Sequence, residues 1–267
     1  MTIRVVVSGT GNMGQEVLAG VAQAEDMEPV GVLEKLSSRK EAALPGGGTV
    51  PQSDDPGALL DATKPDVVID FSNLEWTPLV ADAALERGVR LVIGTTGLSE
   101  EWLADLGKRC SERGAGAVVA PNFAIGAVLM IHMAKLAGRF FDSAEIIELH
   151  HDKKVDAPSG TAMMTLQEML AARGKPFERN VPDEETLAST RAGEQGGITV
   201  HSVRLPGLVA HQEVLFGGQG QTLSIRHDTT GRASFIPGVL LATREVINRK
   251  ELVRGLATLV GLDDPSG

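Results

Sequence analysis

Hydrophobic positions follow two rhythms along the chain, and the change between them lies near residue 175. Before it, short uninterrupted apolar runs alternate with segments whose apolar residues recur every three or four positions. The runs are Ile3 to Val7, Pro29 to Leu33, Val67 to Phe71, Leu91 to Gly94, Val118 to Pro121 and Ala144 to Leu149. Helical spacing marks Val17, Leu18 and Val21, then Pro78 to Glu86, Glu100 to Lys108 and Ile125 to Ala137. A run that is apolar at every position suits a strand covered on both faces, whereas the wider spacing paints one stripe of a helix. Their alternation predicts an α/β fold built on a parallel, doubly wound sheet.

Beyond residue 175 the pattern loosens. Gly174 to Gly197 is rich in charge, Pro and Gly and reads as a loop. Ile198 to Leu205, Glu213 to Gly217 and Thr222 to His227 then follow as strands joined by Gly-rich turns, with no helix between them. That order predicts an antiparallel sheet in a second domain. Gly231 to Arg249 and Leu252 to Leu262 return to helical spacing.

Composition narrows the partners. Lys plus Arg total 25 against 35 for Asp plus Glu, a formal charge of -10, so no basic face for nucleic acid or anionic lipid is expected. An anionic substrate would need a local basic pocket. Aromatics make up 3% of the 267 residues and Tyr is absent, which leaves the core to aliphatic side chains. The single cysteine, Cys110, excludes an intrachain disulfide framework and a thiolate metal cluster. The uncharged stretch Ala120 to Ala134 holds Pro121, Asn122 and His132 and falls short of the roughly 18 apolar residues of a membrane span. Ile3 to Val7 is too short for a secretory h-region. The expectation is a cytoplasmic protein that does not cross a bilayer.

The chemistry-bearing segments sit at strand ends. Gly9-Thr10-Gly11-Asn12-Met13-Gly14 has the GxGxxG spacing between a predicted strand and a predicted helix, the setting in which glycines permit a tight turn and free N–H groups meet a pyrophosphate. The alternative is a glycine turn in a ligand-free α/β protein. Glu34, twenty residues after Gly14, is placed to accept hydrogen bonds from ribose hydroxyls. Lys35, Ser37, Ser38, Arg39 and Lys40 follow it and suit either a 2′-phosphate or a solvated loop. Gly94-Thr95-Thr96-Gly97 and Ala120-Pro121-Asn122-Phe123 also follow predicted strands, where doubly wound folds bind ligands, or are ordinary turns.

The densest cluster is Glu148 to Ala162, which brings His150, His151, Asp152, Lys153, Lys154 and Asp156 to a predicted helix start at Pro158 to Thr161. Two imidazoles and two lysines supply proton donors and cationic anchors, and a helix N-terminus holds an anion. A small dicarboxylate could be gripped from both sides. Metal ligation is disfavoured because neighbouring strand residues face opposite ways, and a purely structural loop is the remaining alternative. Cys110 reads as a packing residue; His132, His201, His211 and His227 read as structural; Arg232 stays open.

The string ELHHDKKVDAPSGTA at Glu148 to Ala162 closely resembles the signature of the 4-hydroxy-tetrahydrodipicolinate reductase family, also called dihydrodipicolinate reductase, of bacterial and plant lysine biosynthesis. GTGNMG, LEK at Leu33 to Lys35, IDFS at Ile69 to Ser72, GTTG, APNFAIG at Ala120 to Gly126 and RHDTTGRASFIPG at Arg226 to Gly238 extend the resemblance over essentially the whole chain. It implies a Rossmann-like nucleotide domain, residues 1–122 plus 232–267, and a mixed α/β substrate-binding and tetramerisation domain, residues 123–231. It also implies NADH or NADPH as cofactor, no metal, and a homotetramer. His150 is implied as the acid/base residue and Lys154 as a proton donor. His151, Gly160, Thr161 and Arg232 are implied as substrate-carboxylate contacts; Gly9 to Met13, Glu34, Lys35, Gly94 to Thr96 and Ala120 to Phe123 as cofactor contacts. Asn12 stands where many members carry Arg, and the turn is one residue shorter, which removes a cation near the phosphates.

The expected reaction is hydride transfer to a conjugated cyclic imine after loss of the 4-hydroxyl as water, with protonation by His150. Two rivals are a dinucleotide-binding redox sensor without catalysis and a semialdehyde dehydrogenase that uses a cysteine nucleophile.

Overall fold

Every residue of Val5 to Val7 is buried, as are Val67 to Asp70 and Leu91 to Ile93, which is the mark of strands covered on both faces. The computed structural model describes residues 2–36, 38–182 and 184–262. Ser37, one of the residues read beside a 2′-phosphate, lies outside them. The chain divides into two units, 1–123 with 235–267, and 124–234. The crossings fall after residues 123 and 234, against 122 and 231 by sequence.

The first unit runs β1 (Ile3–Ser8), α1 (Asn12–Gln23), β2 (Met27–Leu33), β3 (Glu41–Ala43), β4 (Thr49–Ser53), α2 (Pro56–Thr63), β5 (Val67–Asp70), α3 (Thr77–Glu86), β6 (Arg90–Ile93), α4 (Glu100–Arg113) and β7 (Ala117–Val119). In the second unit come α5 (Ile125–Gly138), β8 (Ser143–His150), α6 (Gly160–Arg173), β9 (Gly193–Gln195), β10 (Ile198–Arg204), β11 (Ala210–Gly218) and β12 (Gln221–Thr229). After a 3-10 turn at Arg232–Phe235 the chain finishes with α7 (Ile236–Val246), β13 (Leu252–Arg254) and a second 3-10 turn, Thr258–Val260.

The first sheet has the order β13-β7-β6-β5-β1-β2-β4-β3. All its pairings are parallel except β3 with β4. From β1 the chain builds outward through β2 to β4, then returns to the other side of β1 and builds outward again from β5. The order therefore reverses between β1 and β5, the place where a doubly wound sheet opens a crevice at its carboxyl edge. Phe71 N donates to Ser8 O at 3.0 Å, so the loops leaving those two strands start side by side.

The second sheet, β12-β11-β8-β10-β9, is packed against α5 and α6. Along β8, Ala144, Ile146 and Glu148 are buried while their neighbours are half-buried, a period of two that marks one covered face.

Three expectations are corrected. Ile198–Arg204 pairs in parallel with β8, so the second sheet is mixed and not antiparallel. Leu252 to Leu262 is not a helix: Leu252–Arg254 extends the first sheet beside β7, and Gly255 at φ +81° turns the chain out of it. Pro158 does not open α6; it precedes Ser159, which caps the helix by accepting from Ala162 N at 3.2 Å. The β3–β4 hairpin and α2 are not among the expected elements, although Asp55 before Pro56 is a helix-start signal: Asp55 caps α2 by accepting from Ala58 N at 2.9 Å.

Candidate functional site

The glycine turn after β1 is close-packed at two of its glycines and open at the third. Gly9 has φ +94°, and a Cβ there would stand 2.7 Å from Phe71 O; one on Gly14 would stand 1.9 Å from Gly9 O. Gly11 has nothing within 4 Å of that position. Gly11 precedes α1 as its N-cap, with no side-chain hydrogen bond capping the helix. The first N–H groups of α1 are therefore left to an external acceptor, beside a surface kept clear of side chains, which fits a dinucleotide pyrophosphate. Asn12 is exposed and Met13 half-buried.

Glu34 follows β2 and reaches back to this turn. Its Oε2 accepts from Thr10 N at 2.9 Å and from Thr10 Oγ1 at 2.5 Å, and Oε1 accepts from Leu36 N at 3.2 Å. Burial works against its charge, but the Thr10 hydroxyl and the N–H groups outweigh it and hold the carboxyl below its ordinary range. An ionised acceptor is thus fixed where ribose hydroxyls are expected. Lys35 is exposed and pairs with Glu75 at 3.1 Å.

Two further loops line an open cleft of about 620 Å³: residues 71–75 after β5 and 94–96 after β6. A Cβ on Gly94 would fall 2.1 Å from the Phe71 ring, so only glycine lets these loops approach. Thr95 is buried, and Thr96 is exposed. Ala120 N donates to Ile93 O at 3.1 Å, which starts the next loop at the same edge. In that loop Pro121 is exposed and Asn122 half-buried, while the Phe123 ring is buried 5.5 Å from Phe71. Phe123 is fixed by packing, and main chain is what this position offers a ligand.

In the second unit, period two along β8 sends Glu148 and His150 to the same face. Glu148 is fully buried. Its Oε2 lies 2.5 Å from His150 Nδ1 and accepts from Arg204 Nη1 at 2.9 Å; Oε1 accepts from Arg204 Nη2 at 2.8 Å and from Ser159 N at 3.2 Å. Burial alone would raise its pKa, but the hydrogen bonds from His150 and Arg204 outweigh that and bring it down to about 2. With Glu148 ionised, a proton on His150 Nδ1 is donated to it, and the other ring nitrogen remains for chemistry.

Lys154 Nζ donates to both oxygens of Asp156, at 2.7 and 2.9 Å. Arg204 Nη2 donates to Asp156 O at 2.7 Å, so the lysine turn is tied to the same arginine. Beside it the N-terminus of α6 is open at Gly160, where a Cβ would meet nothing within 4 Å, and Thr161 is half-buried. His151 is exposed, with its carbonyl accepting from Lys154 N at 3.2 Å.

The structure thus joins His150, Lys154 and the α6 N-terminus through Glu148, Arg204, Asp156 and Ser159. No hydrogen bond or ion pair among the described residues joins Arg232 to this network, and Arg232 is exposed at the start of its 3-10 turn. Sequence reasoning missed Glu148 and Arg204. Glu148 was within reach, since i and i+2 on a strand share a face. Arg204 was not: it stands opposite His150 only because β10 and β8 pair in parallel register. Cys110 is fully buried, and burial pushes its thiol up to about 11, so it offers no thiolate nucleophile near neutrality. Among the described residues no helix is long and apolar enough to cross a membrane.

The model of the N-terminus of dihydrodipicolinate reductase matches residues 3–123, and that of its C-terminus matches residues 126–260. The 4-hydroxy-tetrahydrodipicolinate reductase of Dehalococcoides mccartyi (strain ATCC BAA-2100) is 48% identical over 262 residues, covering 97% of this chain and 99% of that protein. Its counterpart in Moorella thermoacetica is 48% identical over 264 residues, covering 97% and 98%. Among solved structures, the dipicolinate-bound dihydrodipicolinate reductase from Paenisporosarcina sp. TG-14 superposes with a TM-score of 0.88 at 42% identity, covering 97% of this chain and 99% of that one.

Proposed function

The chain belongs to the dihydrodipicolinate reductase family, whose reaction is the NAD(P)H-dependent reduction of 4-hydroxy-tetrahydrodipicolinate to tetrahydrodipicolinate in lysine biosynthesis, and we propose that it performs this reaction with His150 as proton donor. The observation that carries the assignment is the Glu148–His150 pair at 2.5 Å, set beside an open helix N-terminus and a lysine.

The α1 N–H groups of the glycine turn, residues 9–13, hold the pyrophosphate; Glu34 accepts from ribose hydroxyls; Lys35 and the main chain of 94–96 and 120–123 complete the cofactor contacts. When bound, the reduced dinucleotide supplies a hydride. The product needs a proton as well, and the His150 nitrogen turned away from Glu148 delivers it. Glu148 bonds Nδ1 and keeps the ring in one orientation. Lys154 meets a substrate carboxylate by exchanging it for Asp156, and the N–H groups at Gly160 and Thr161 take the second carboxylate. His151 and Arg232 supply further donors. A non-catalytic sensor would give Glu148, His150 and Lys154 nothing to do, so that reading is not carried forward.

Support for a homotetramer and a cytosolic setting comes from the family; the mass in solution tests the first and fractionation of the source cells the second. The reaction is tested by reduced-nicotinamide oxidation in a coupled assay with dihydrodipicolinate synthase, pyruvate and aspartate semialdehyde. Oxidation that depends on the coupling enzyme is expected; none with either NADH or NADPH would overturn the assignment.

A further inference from the structure

Asp70 closes β5, a strand otherwise made of Val67, Val68 and Ile69, and like them it is fully buried. A buried carboxylate is costly unless its charge is met, and an apolar residue would fill a strand end without that cost. Among the described residues no ion pair reaches Asp70; hydroxyls do. Ser72 Oγ donates to Oδ1 at 2.7 Å, and Thr77 Oγ1 donates to Oδ2 at 2.5 Å. Thr95 Oγ1 lies 3.2 Å from Oδ2 and 2.8 Å from Thr77 Oγ1, within reach of both. Thr77 also begins α3, whose N-terminal dipole favours an anion there.

These three hydroxyls belong to separate pieces of the cleft. Ser72 is in the 71–75 wall, Thr95 is in the 94–96 wall, and Thr77 starts the helix that follows the first. The main chain repeats the connection, because Asp70 O accepts from Gly94 N at 2.9 Å. One buried side chain therefore fixes both walls from beneath. Thr95, read from sequence as a cofactor contact, commits its hydroxyl to this hub and presents main chain to the cleft.

We propose that Asp70 is a positioning residue for dinucleotide binding, holding the 71–75 and 94–96 loops through Ser72, Thr77 and Thr95 at the spacing that admits the reduced cofactor. This rests on the reading above that the 94–96 loop contacts the dinucleotide. Asp70→Asn retains the shape but puts N–H donors where hydroxyl protons point. Thr77→Val retains the shape and removes one proton, while Thr77→Ser keeps the proton.

The test is equilibrium binding of NADH, followed by its fluorescence, to the intact wild-type protein, D70N, T77V and T77S, each with its Tm. Binding of pyridine-2,6-dicarboxylate by calorimetry reports on residues 124–234 in the same samples. The bonds removed lie within the protein, so their loss reaches the ligand through the order of the two loops, and the NADH Kd is expected to rise by about tenfold in D70N and T77V. T77S is expected within about twofold of wild type, because the hydroxyl is retained, and dicarboxylate affinity is expected unchanged throughout. A purely structural role would lower Tm and weaken both ligands together, which overturns the proposal. A folded T77V with wild-type NADH affinity, or a T77S as weak as T77V, also overturns it. If D70N does not fold, the Thr77 pair decides alone. Wild-type protein that binds no NADH would sink the cofactor reading itself, a result distinct from a wild type that binds and a T77V that binds equally well.

Discussion

Arg204 grips Glu148 with both terminal nitrogens, at 2.9 and 2.8 Å, from a strand running parallel to its own. Such a fork holds a carboxylate in one orientation. It fixes two catalytic candidates at once, because Glu148 bonds His150 and Arg204 reaches the Asp156 carbonyl, whose side chain holds Lys154. His150 and Lys154 are near in sequence, but this longer route through β10 is what sets their positions.

Replacing His150 with Gln removes the proposed proton donor and changes no residue of the proposed nucleotide site. Turnover should fall by ~10² to 10⁴, the usual worth of a general acid, while NADH affinity stays near wild type. Lys154→Ala should lower turnover and raise the KM for substrate together. Steady-state kinetics with a separate NADH titration check both, and equal losses of turnover and NADH affinity in the His150 variant would remove that residue from the acid role.

Acid should destabilise the protein through Glu148. Its carboxyl titrates at about 2 when folded against an ordinary 4.5, so its contribution is complete above the unfolded value and is lost as pH falls from about 5 towards 2. The shift corresponds to about 3 kcal/mol. Urea titrations across that window should show stability falling with pH in the wild type and a shallower fall in Glu148→Gln. Parallel slopes would mean that Glu148 is not held as an anion.

Cys110 should be chemically silent in the folded protein. It is fully buried with a thiol pushed up to about 11, so a thiol-blocking reagent at neutral pH should leave activity intact and react with the one cysteine only after denaturant is added. Rapid inactivation in native buffer would revive a thiol-dependent mechanism.

NADH should serve at least as well as NADPH. Glu34 is held as an anion beside Thr10, and Asn12 brings no cation to the turn. A kcat/KM favouring NADPH by more than about a hundredfold, or ~2.7 kcal/mol, would contradict this. Glu34→Gln should shift the ratio towards NADPH by roughly tenfold, since it removes a charge that repels a 2′-phosphate.

What the sequence discloses here follows the range of the interaction concerned. Val5 to Val7 and Val67 to Ile69 are legible as strands because both faces are buried, and Gly9 to Gly14 is legible because local backbone geometry demands glycine. The histidine cluster is legible because its residues are contiguous. Leu252, Leu256 and Leu259 have helical spacing, and yet Leu252–Arg254 is a strand: pairing with β7 outweighs three residues of weak local preference. Arg204 and Asp70 are hidden for related reasons. The role of Arg204 depends on the register between distant strands. Asp70 has the sequence pattern of a polar end to an apolar run, and its hydroxyl partners lie up to 25 positions away.

The first unit borrows its outermost strand from the far end of the chain. Val253 pairs with Val118, well over a hundred residues earlier, and Gly116 and Ala117 donate to carbonyls at 249 and 251. On the ribosome, β7 must therefore wait as an open sheet edge while the whole second unit is made, and an unpaired edge is a template for wrong partners. A chain cut at residue 234 would keep every element of the glycine turn yet lose the strand that pairs with β7, leaving that edge open to wrong partners.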